Sequence, residues 1–317
     1  MSNLMRKISG LLRSFLTGGG AGAAMRSMLG ILLILAVSVG KSEAQEDWRE
    51  RVKTIRIGLI ANEIASDDKE KLFPFRRALS EALQIENKVV VLPDEKAAIM
   101  ALAQDRLDYV ALSSSAFSLG WQSCKCIEPM VSPTSVKGFE KFHSVVAGPD
   151  PVLDFPEGTS GKTLFVSSKR SFSAYLFPKM VFQKKGILID DQWTVEEAGN
   201  MENAARMMFE NPGSITSGWI AYDIEGKPVS GLYDALPETA GSNVSILWQS
   251  DPIPLGPHVV RRGFPDDAKV ELFEFLVSLA ERNESAYDAI EPVFGGGFIP
   301  VNLEDFRPII DLLAQEN

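Results

Sequence analysis

The chain has 317 residues, 45% of them hydrophobic and 23% charged, with 32 Lys and Arg against 42 Asp and Glu. That composition excludes a disordered, collagen-like or many-pass membrane protein, and the length suits one large domain or two small ones. Residues 1–44 carry five basic side chains against Glu43 alone, which leaves 27 basic against 41 acidic in the other 273 residues, a net charge of −14. No dense Lys/Arg run interrupts that acidic body, so nucleic acid is not an expected partner.

The first segment reads as an address rather than as fold. Met28 to Val39 is an apolar run of about a dozen residues, preceded by Arg26 and followed by Ser42-Glu43-Ala44. Basic flank, short apolar core and small-x-small site together describe a secretory signal over residues 1–44. A bilayer-spanning helix needs about 20 apolar residues, so an uncleaved anchor is the less favoured alternative. The stretch before Met25 is long for a basic flank, which makes Met25 a candidate true start. Beyond Gln45 no segment is apolar enough to span a bilayer, so the expectation is an exported, periplasmic, monomeric protein with no stable membrane insertion after cleavage.

The rest alternates between strand and helix patterns. Lys53 to Ile60 alternates apolar and polar residues as a strand does, and Lys71 to Leu83 sets Leu72, Phe75, Leu79 and Leu83 on one helical face. Lys88 to Leu92 is a second strand, Glu95 to Gln104 a helix opened by Pro93-Asp94, and Leu107 to Leu112 a third strand ending in Ser113-Ser114-Ser115. Strand, helix, strand, helix, strand implies a mainly parallel sheet. A second such unit follows: strand Lys162 to Val166, a polar turn Ser168 to Ser173 and helix Ala174 to Lys185. Then come helix Met201 to Glu210, strand Ser217 to Ile224, loop Gly226 to Asn243 and strand Val244 to Trp248. Helices at Asp266 to Arg282 and Leu303 to Gln315 flank Gly295-Gly296-Gly297.

Cys124 and Cys126 form a small disulfide ring, a pair of loop thiols, or half of a metal site. Only His143 and His258 add soft ligands elsewhere, so neither a metal nor another cofactor is expected. Gly158 to Thr163 resembles the end of a phosphate-binding loop, but it precedes its strand and lacks the first glycine.

The fold expected is α/β, in two lobes: residues 53–145 with 250–317, and residues 146–249. Phe142 to Gly148 and Gln249 to Arg261 are the candidate hinge strands. Such lobes face each other across a cleft at the carboxyl ends of their strands.

On this pattern the chain from about Lys53 to Ala314 resembles the phosphonate-type (PhnD-like) periplasmic substrate-binding proteins of ABC transporters, which have the type II periplasmic binding fold. The resemblance rests on Leu92-Pro93-Asp94, Leu107 to Ala111, Gly161 to Val166, Trp248 to Pro254 and Phe298-Ile299-Pro300, taken in order. It implies a protein that is not an enzyme, that closes its lobes on a small anion and delivers it to an ABC permease. The family's Ser-Thr-Ser-Gly anion motif falls on Ser171, Phe172, Ser173 and Ala174, so its serines are kept and its Thr and Gly are not. The family histidine falls on Met201, beside Asn200, two ligand tyrosines fall on Glu95 and Leu112, and two acids fall near Gly256 and on Asp223.

An oxyanion cradle needs helix-terminal N–H groups and small hydroxyls. Ser171, Phe172 and Ser173 supply one from the second lobe, with Lys169 and Arg170 beside them. Ser113, Ser114 and Ser115 supply another from the first, and each also reads as an ordinary helix cap. Asn62, just past the first strand, is a further polar candidate, and Phe117, Phe172, Trp219 and Tyr222 serve either a pocket wall or the core. The ligand-contact candidates are thus Asn62, Ser113, Ser114, Ser115, Ser171, Phe172, Ser173, Asn200, Met201 and Asp223, with no catalytic or metal-binding residue among them. Two other readings remain: a periplasmic sensor that feeds a membrane receptor or redox system, and a cofactor-synthesis enzyme of the same fold.

Overall fold

The computed structural model describes residues 47–60, 70–149, 154–236 and 244–314. The expected leader and Asn62 lie outside them. Chain contacts divide the protein after Glu50. In the first unit Arg49 donates from its backbone N–H to the Asp47 carboxylate at 3.1 Å, at the start of α1 (Trp48–Arg51). The second unit, from Arg51 onward, carries the whole fold described below.

β1 (Thr54–Ile60) buries Ile55, Ile57 and Leu59 on one face. It pairs in parallel with β2 (Glu86–Leu92) and β3 (Tyr109–Ala111). Crossover helices α2 (Phe73–Leu83) and α3 (Glu95–Ala103) make that parallel pairing possible. The α2 stripe Phe75, Leu79 and Leu83 is fully buried, and Pro74 sits in the first turn, where its missing N–H costs nothing. Helix α4 (Ser114–Cys124) follows β3, and its last residue is joined to Cys126 in a disulfide. Antiparallel β4 (Ile127–Ser135), β12 (His258–Arg261) and β13 (Gly295–Pro300) complete a six-stranded sheet of order β13-β4-β12-β3-β1-β2.

The second sheet holds β5 (Lys141–Pro149), β6 (Thr163–Val166), β7 (Thr194–Glu197), β8 (Ile215–Tyr222) and β10 (Val244–Gln249), in the order β10-β5-β8-β6-β7. Its edges add β9 (Pro228–Gly231) on β8 and β11 (Ile253–Pro254) on β5. The chain passes from the first sheet to the second between Ser135 and Lys141, and returns between Pro254 and His258. α5 (Phe177–Lys184), α6 (Ile189–Gln192), α7 (Met201–Glu210) and α8 (Leu232–Ala235) cover the second sheet. The first is covered by α9 (Asp266–Val277), α10 (Leu279–Arg282), α11 (Glu284–Asp288) and α12 (Arg307–Leu313). Ile309 and Ile310 of α12 share one apolar cluster with Phe177 and Met180 of α5, so the last helix touches elements of both sheets.

Several elements depart from the sequence pattern for local reasons. The helix expected from Ala174 opens instead with a wider turn at Phe172–Leu176, in which the Leu176 N–H donates to Ser171 at 3.0 Å. Pro178 has no N–H for the Ala174 carbonyl, so a regular helical ladder is closed to that first turn. The helix expected over 266–282 ends at Ser278, whose hydroxyl competes for the Glu274 carbonyl at 2.8 Å. Gly295 to Gly297 belong to a strand: a Cβ on Gly296 would stand 2.6 Å from the Thr134 carbonyl oxygen, a spacing only glycine permits.

Candidate ligand cleft

β1 and β3 end on the same side of the first sheet, and each parallel strand of the second leads into a polar turn. Ser113 follows β3. Its hydroxyl accepts from the Ala116 N–H at 3.2 Å as the cap of α4, and donates to Glu95 Oε2 at 2.9 Å. The Ser113 N–H donates to the other Glu95 oxygen. A carboxylate of the chain itself therefore occupies the N–H and the hydroxyl of the residue that caps α4. Ser115 stands 3.2 Å from the Ser113 hydroxyl. Ser114 is buried and turned away: its hydroxyl donates to the Pro254 carbonyl in the return segment.

The turn after β6 has a parallel arrangement. The Glu197 carboxylate accepts from the Lys169 N–H at 2.6 Å and from the Ser168 hydroxyl at 3.0 Å. Those two bonds hold its carboxyl below the usual range. The Lys169 ammonium lies 3.4 Å from Asp190, which also takes Lys179. Ser171 caps Ala174 at 3.3 Å, and Phe172 sets its ring edge-on to Phe177 at 5.4 Å. The Ser173 carbonyl accepts from Ser144 of β5 at 2.6 Å, while its half-buried hydroxyl makes no hydrogen bond among the described residues. The Ser144 N–H in turn donates to the Ser250 hydroxyl at 3.0 Å, and the Ser144 carbonyl accepts from the Ser250 N–H at 2.9 Å. Both serine turns are thus tied to one return segment, Ser250 to Pro254, the first through Ser114 and the second through Ser144.

The remaining candidates serve local structure. Asn200 is exposed and caps α7 through the Asn203 N–H at 2.7 Å. Met201 packs on β8, where a Cβ on Gly218 would lie 2.9 Å from its sulfur. Asp223 accepts from the Glu225 and Lys227 N–H groups at 3.0 and 2.9 Å, closing the turn between β8 and β9. Phe117 is core, edge-on to Phe306 at 4.7 Å. Trp219 lies among Phe139 and Phe142 at the point where the chain leaves the first sheet. The Tyr222 hydroxyl donates to Gln249 at 2.7 Å and its ring meets His143 edge-on.

His143, Ser144 and Ser250 fall in the expected hinge strands and are not among the site candidates, because His143 and Ser144 meet Ser250 across more than a hundred positions and no spacing signals that contact. Gly256 carries a sharper message. A Cβ there would stand 2.3 Å from the Leu112 carbonyl oxygen, so an acidic side chain has no room at this position. Gly256→Ala is expected to cost about 1–3 kcal/mol, since the obstacle is backbone. Urea unfolding checks this, and an unchanged midpoint would show that the return segment yields freely.

A family model described as "ABC transporter, phosphonate, periplasmic substrate-binding protein" matches residues 57–306. A search of curated protein sequences finds no match. Among solved structures, the fold is similar to XAC2383 from Xanthomonas citri bound to chloride ion, at 19% identity over 83% of this chain and 96% of that one, with a TM-score of 0.59. It is also similar to the binding protein component of an ABC phosphonate transporter (PA3383) from Pseudomonas aeruginosa, at 19% identity over 83% and 86% of the two chains, with a TM-score of 0.53. PhnD1 from Prochlorococcus marinus, solved with methylphosphonate, matches at 16% identity over 84% and 98%, again with a TM-score of 0.53. Among the described residues no helix is long and apolar enough to cross a membrane. With the family model spanning both sheets and both passages between them, the chain belongs to the periplasmic substrate-binding proteins of phosphonate-type ABC transporters, a family of solute-binding proteins with the type II periplasmic binding fold.

Proposed function

We propose that this protein, exported by the leader in residues 1–44, captures a small anion between its two lobes and hands it unaltered to an ABC permease. Each lobe would be built on one of the two sheets, with the passages between Ser135 and Lys141 and between Pro254 and His258 as the hinge. The observation that carries the reading is the two-sheet architecture joined by two short passages, matched by the family model over residues 57–306. Two bodies so joined close by rotation about the passages, and a ligand that touches both favours the closed state. Binding and release need no catalytic group.

Ser173 is the best-placed anion contact. Its carbonyl is held by Ser144, and its hydroxyl is left unspent among the described residues. The first test is a thermal shift of the purified protein against phosphate, phosphite, alkylphosphonates, sulfonates and carboxylates, since a ligand bound to the folded state raises the melting point. Ser173→Ala should then weaken binding of the best ligand by about 1–2 kcal/mol, roughly fivefold to thirtyfold in Kd. Calorimetry that returned the same affinity for the variant would take Ser173 out of the site. Solution scattering that showed no compaction with the bound ligand would reject closure itself.

A further inference from the structure

The first sheet ends in β2, which pairs with β1 alone; among the described residues no strand lies along its outer edge. An open edge presents a row of backbone N–H and C=O groups that can take up another strand. Prolines, charges and short length are the usual protections against such pairing. β2 has seven residues, no proline, and the apolar run Val89 to Leu92, in which Val91 is 36% exposed. Lys88 stands at the head of that run and Glu86 two residues before it, so the run itself is unprotected.

Beside this edge an open groove of about 600 Å³ runs between β2 and α3. Alternate residues of a strand share one face, and Lys88, Val90 and Leu92 look into the groove together. Ala97 and Met100 of α3 form the opposite wall, with Met100 47% exposed. Arg56, the register partner of Lys88 on β1, and Arg106, which follows α3, add two more cations. No acidic side chain lines the groove, although the body of the chain carries a net charge of −14. Arg56 is committed to Asp108 at 2.7 Å, and Asp105, next to Arg106 in the chain, lies 3.3 Å from Arg261. Lys88 and Arg106 are exposed and form no ion pair among the described residues.

These features define an occupant. An extended chain on the β2 edge gains main-chain bonds along its length, and the groove selects its side chains at every second position. Those side chains recur about every 6.6 Å, the spacing at which Lys88, Val90 and Leu92 themselves recur. The matching strand carries an acidic residue beside Lys88 and apolar residues two and four positions along. A second copy of this chain fits poorly, because a two-fold contact sets a patch against itself and brings Lys88 and Arg106 to their own counterparts. Like charges facing across strands are destabilising.

We propose that the groove between β2 and α3 is a docking site for an extended segment of another protein, an alternating apolar strand with an acidic residue at one end, added outside β2. The site is separate from the serine turns and does not rest on the anion reading. The probes are a fluorescein-tagged hexapeptide, Glu-Thr-Val-Thr-Val-Thr, and its reverse sequence, titrated with the purified protein and read by fluorescence anisotropy.

One of the two orders should bind saturably. Methylating one alternate set of its backbone nitrogens should weaken binding at least tenfold, while methylating the other set leaves it unchanged, because only one set faces β2. Lys88→Glu should also weaken binding at least tenfold, as should Arg106→Glu. A peptide with Lys in place of Glu should recover binding to Lys88→Glu, a rescue that a folding defect cannot produce. Absence of binding by both orders overturns the proposal. Binding that is equal for every methylated form overturns strand addition and leaves a groove for amphiphilic anions. Adsorption to phosphatidylglycerol vesicles without peptide binding assigns the groove to anionic lipid instead. A dimer in sedimentation that Met100→Glu breaks, again without peptide binding, assigns it to a second copy.

Discussion

Asp108→Ala is expected to lower the stability of the fold by about 3–5 kcal/mol, the cost of removing one partner from a buried ion pair. Asp108 is 1% exposed and sits at the amino end of β3, where it joins three strands. Arg56 of β1 donates to it from the backbone at 2.8 Å and from the guanidinium at 2.7 Å, and Arg261 of β12 donates at 2.7 Å. Burial pushes this carboxyl up, but the Arg56 and Arg261 hydrogen bonds outweigh it and hold it below the usual range. The sign of the pH dependence follows. A carboxyl held below its unfolded value contributes fully above about pH 4 and loses that contribution as pH falls through its folded value. Wild type should therefore lose stability on acidification more steeply than Asp108→Ala. Urea midpoints measured from pH 7 down to pH 3 check both statements. Parallel curves for the two proteins would show that the arginines find water in place of Asp108.

The same triad marks the limit of what local sequence reveals. β1, β2, β3 and their crossover helices are legible because each buries one periodic face close to its neighbours in the chain. β4 is not, because Pro129 and Pro133 interrupt its pattern, and the sheet absorbs them through irregular registers against β12 and β13. β5 reads from sequence as a connecting segment, yet it pairs with β8, β10 and β11. Those partners are supplied by residues 69 to 113 positions later, so nothing in its own nine residues announces them. Arg56, Asp108 and Arg261 are ordinary polar residues in sequence and become one network around a buried carboxylate only when β12 returns beside β3.

The candidate site divides along the same line. The serine clusters after β3 and β6 are visible in sequence, because a polar cluster at a strand end is a local feature. Which hydroxyl remains available is decided by distant partners: Ser114 goes to Pro254, Ser113 to Glu95, and Ser173 keeps its own. Internal carboxylates already hold part of each donor array, Glu95 in the first lobe and Glu197 at the edge of the second. This economy explains how a family fold persists while Met201 and Glu95 stand where the resemblance implies a histidine and a tyrosine.

Glu95→Ala should raise the affinity for phosphate and methylphosphonate, by about a hundredfold if the anion approaches Ser113. The reasoning is electrostatic. Glu95 is half-buried, its two oxygens accept from the Ser113 N–H and hydroxyl, and among the described residues no cation pairs with it. Two unit charges about 4 Å apart near a protein surface repel by about 4 kcal/mol, of which a hundredfold change in Kd uses about 2.7. Removing the carboxylate frees two donors at the start of α4, an eleven-residue helix whose amino terminus favours an anion. Glu95→Gln should show a smaller gain, since the charge is lost but the amide still blocks the turn. Calorimetry of the three proteins with each anion makes the comparison. A rank order of Ala, then Gln, then wild type identifies Glu95 as the residue that screens small oxyanions from the first lobe. Equal affinities in all three would place the bound anion wholly on the second lobe, at Ser173, and leave Glu95 as a helix-terminal brace for α4.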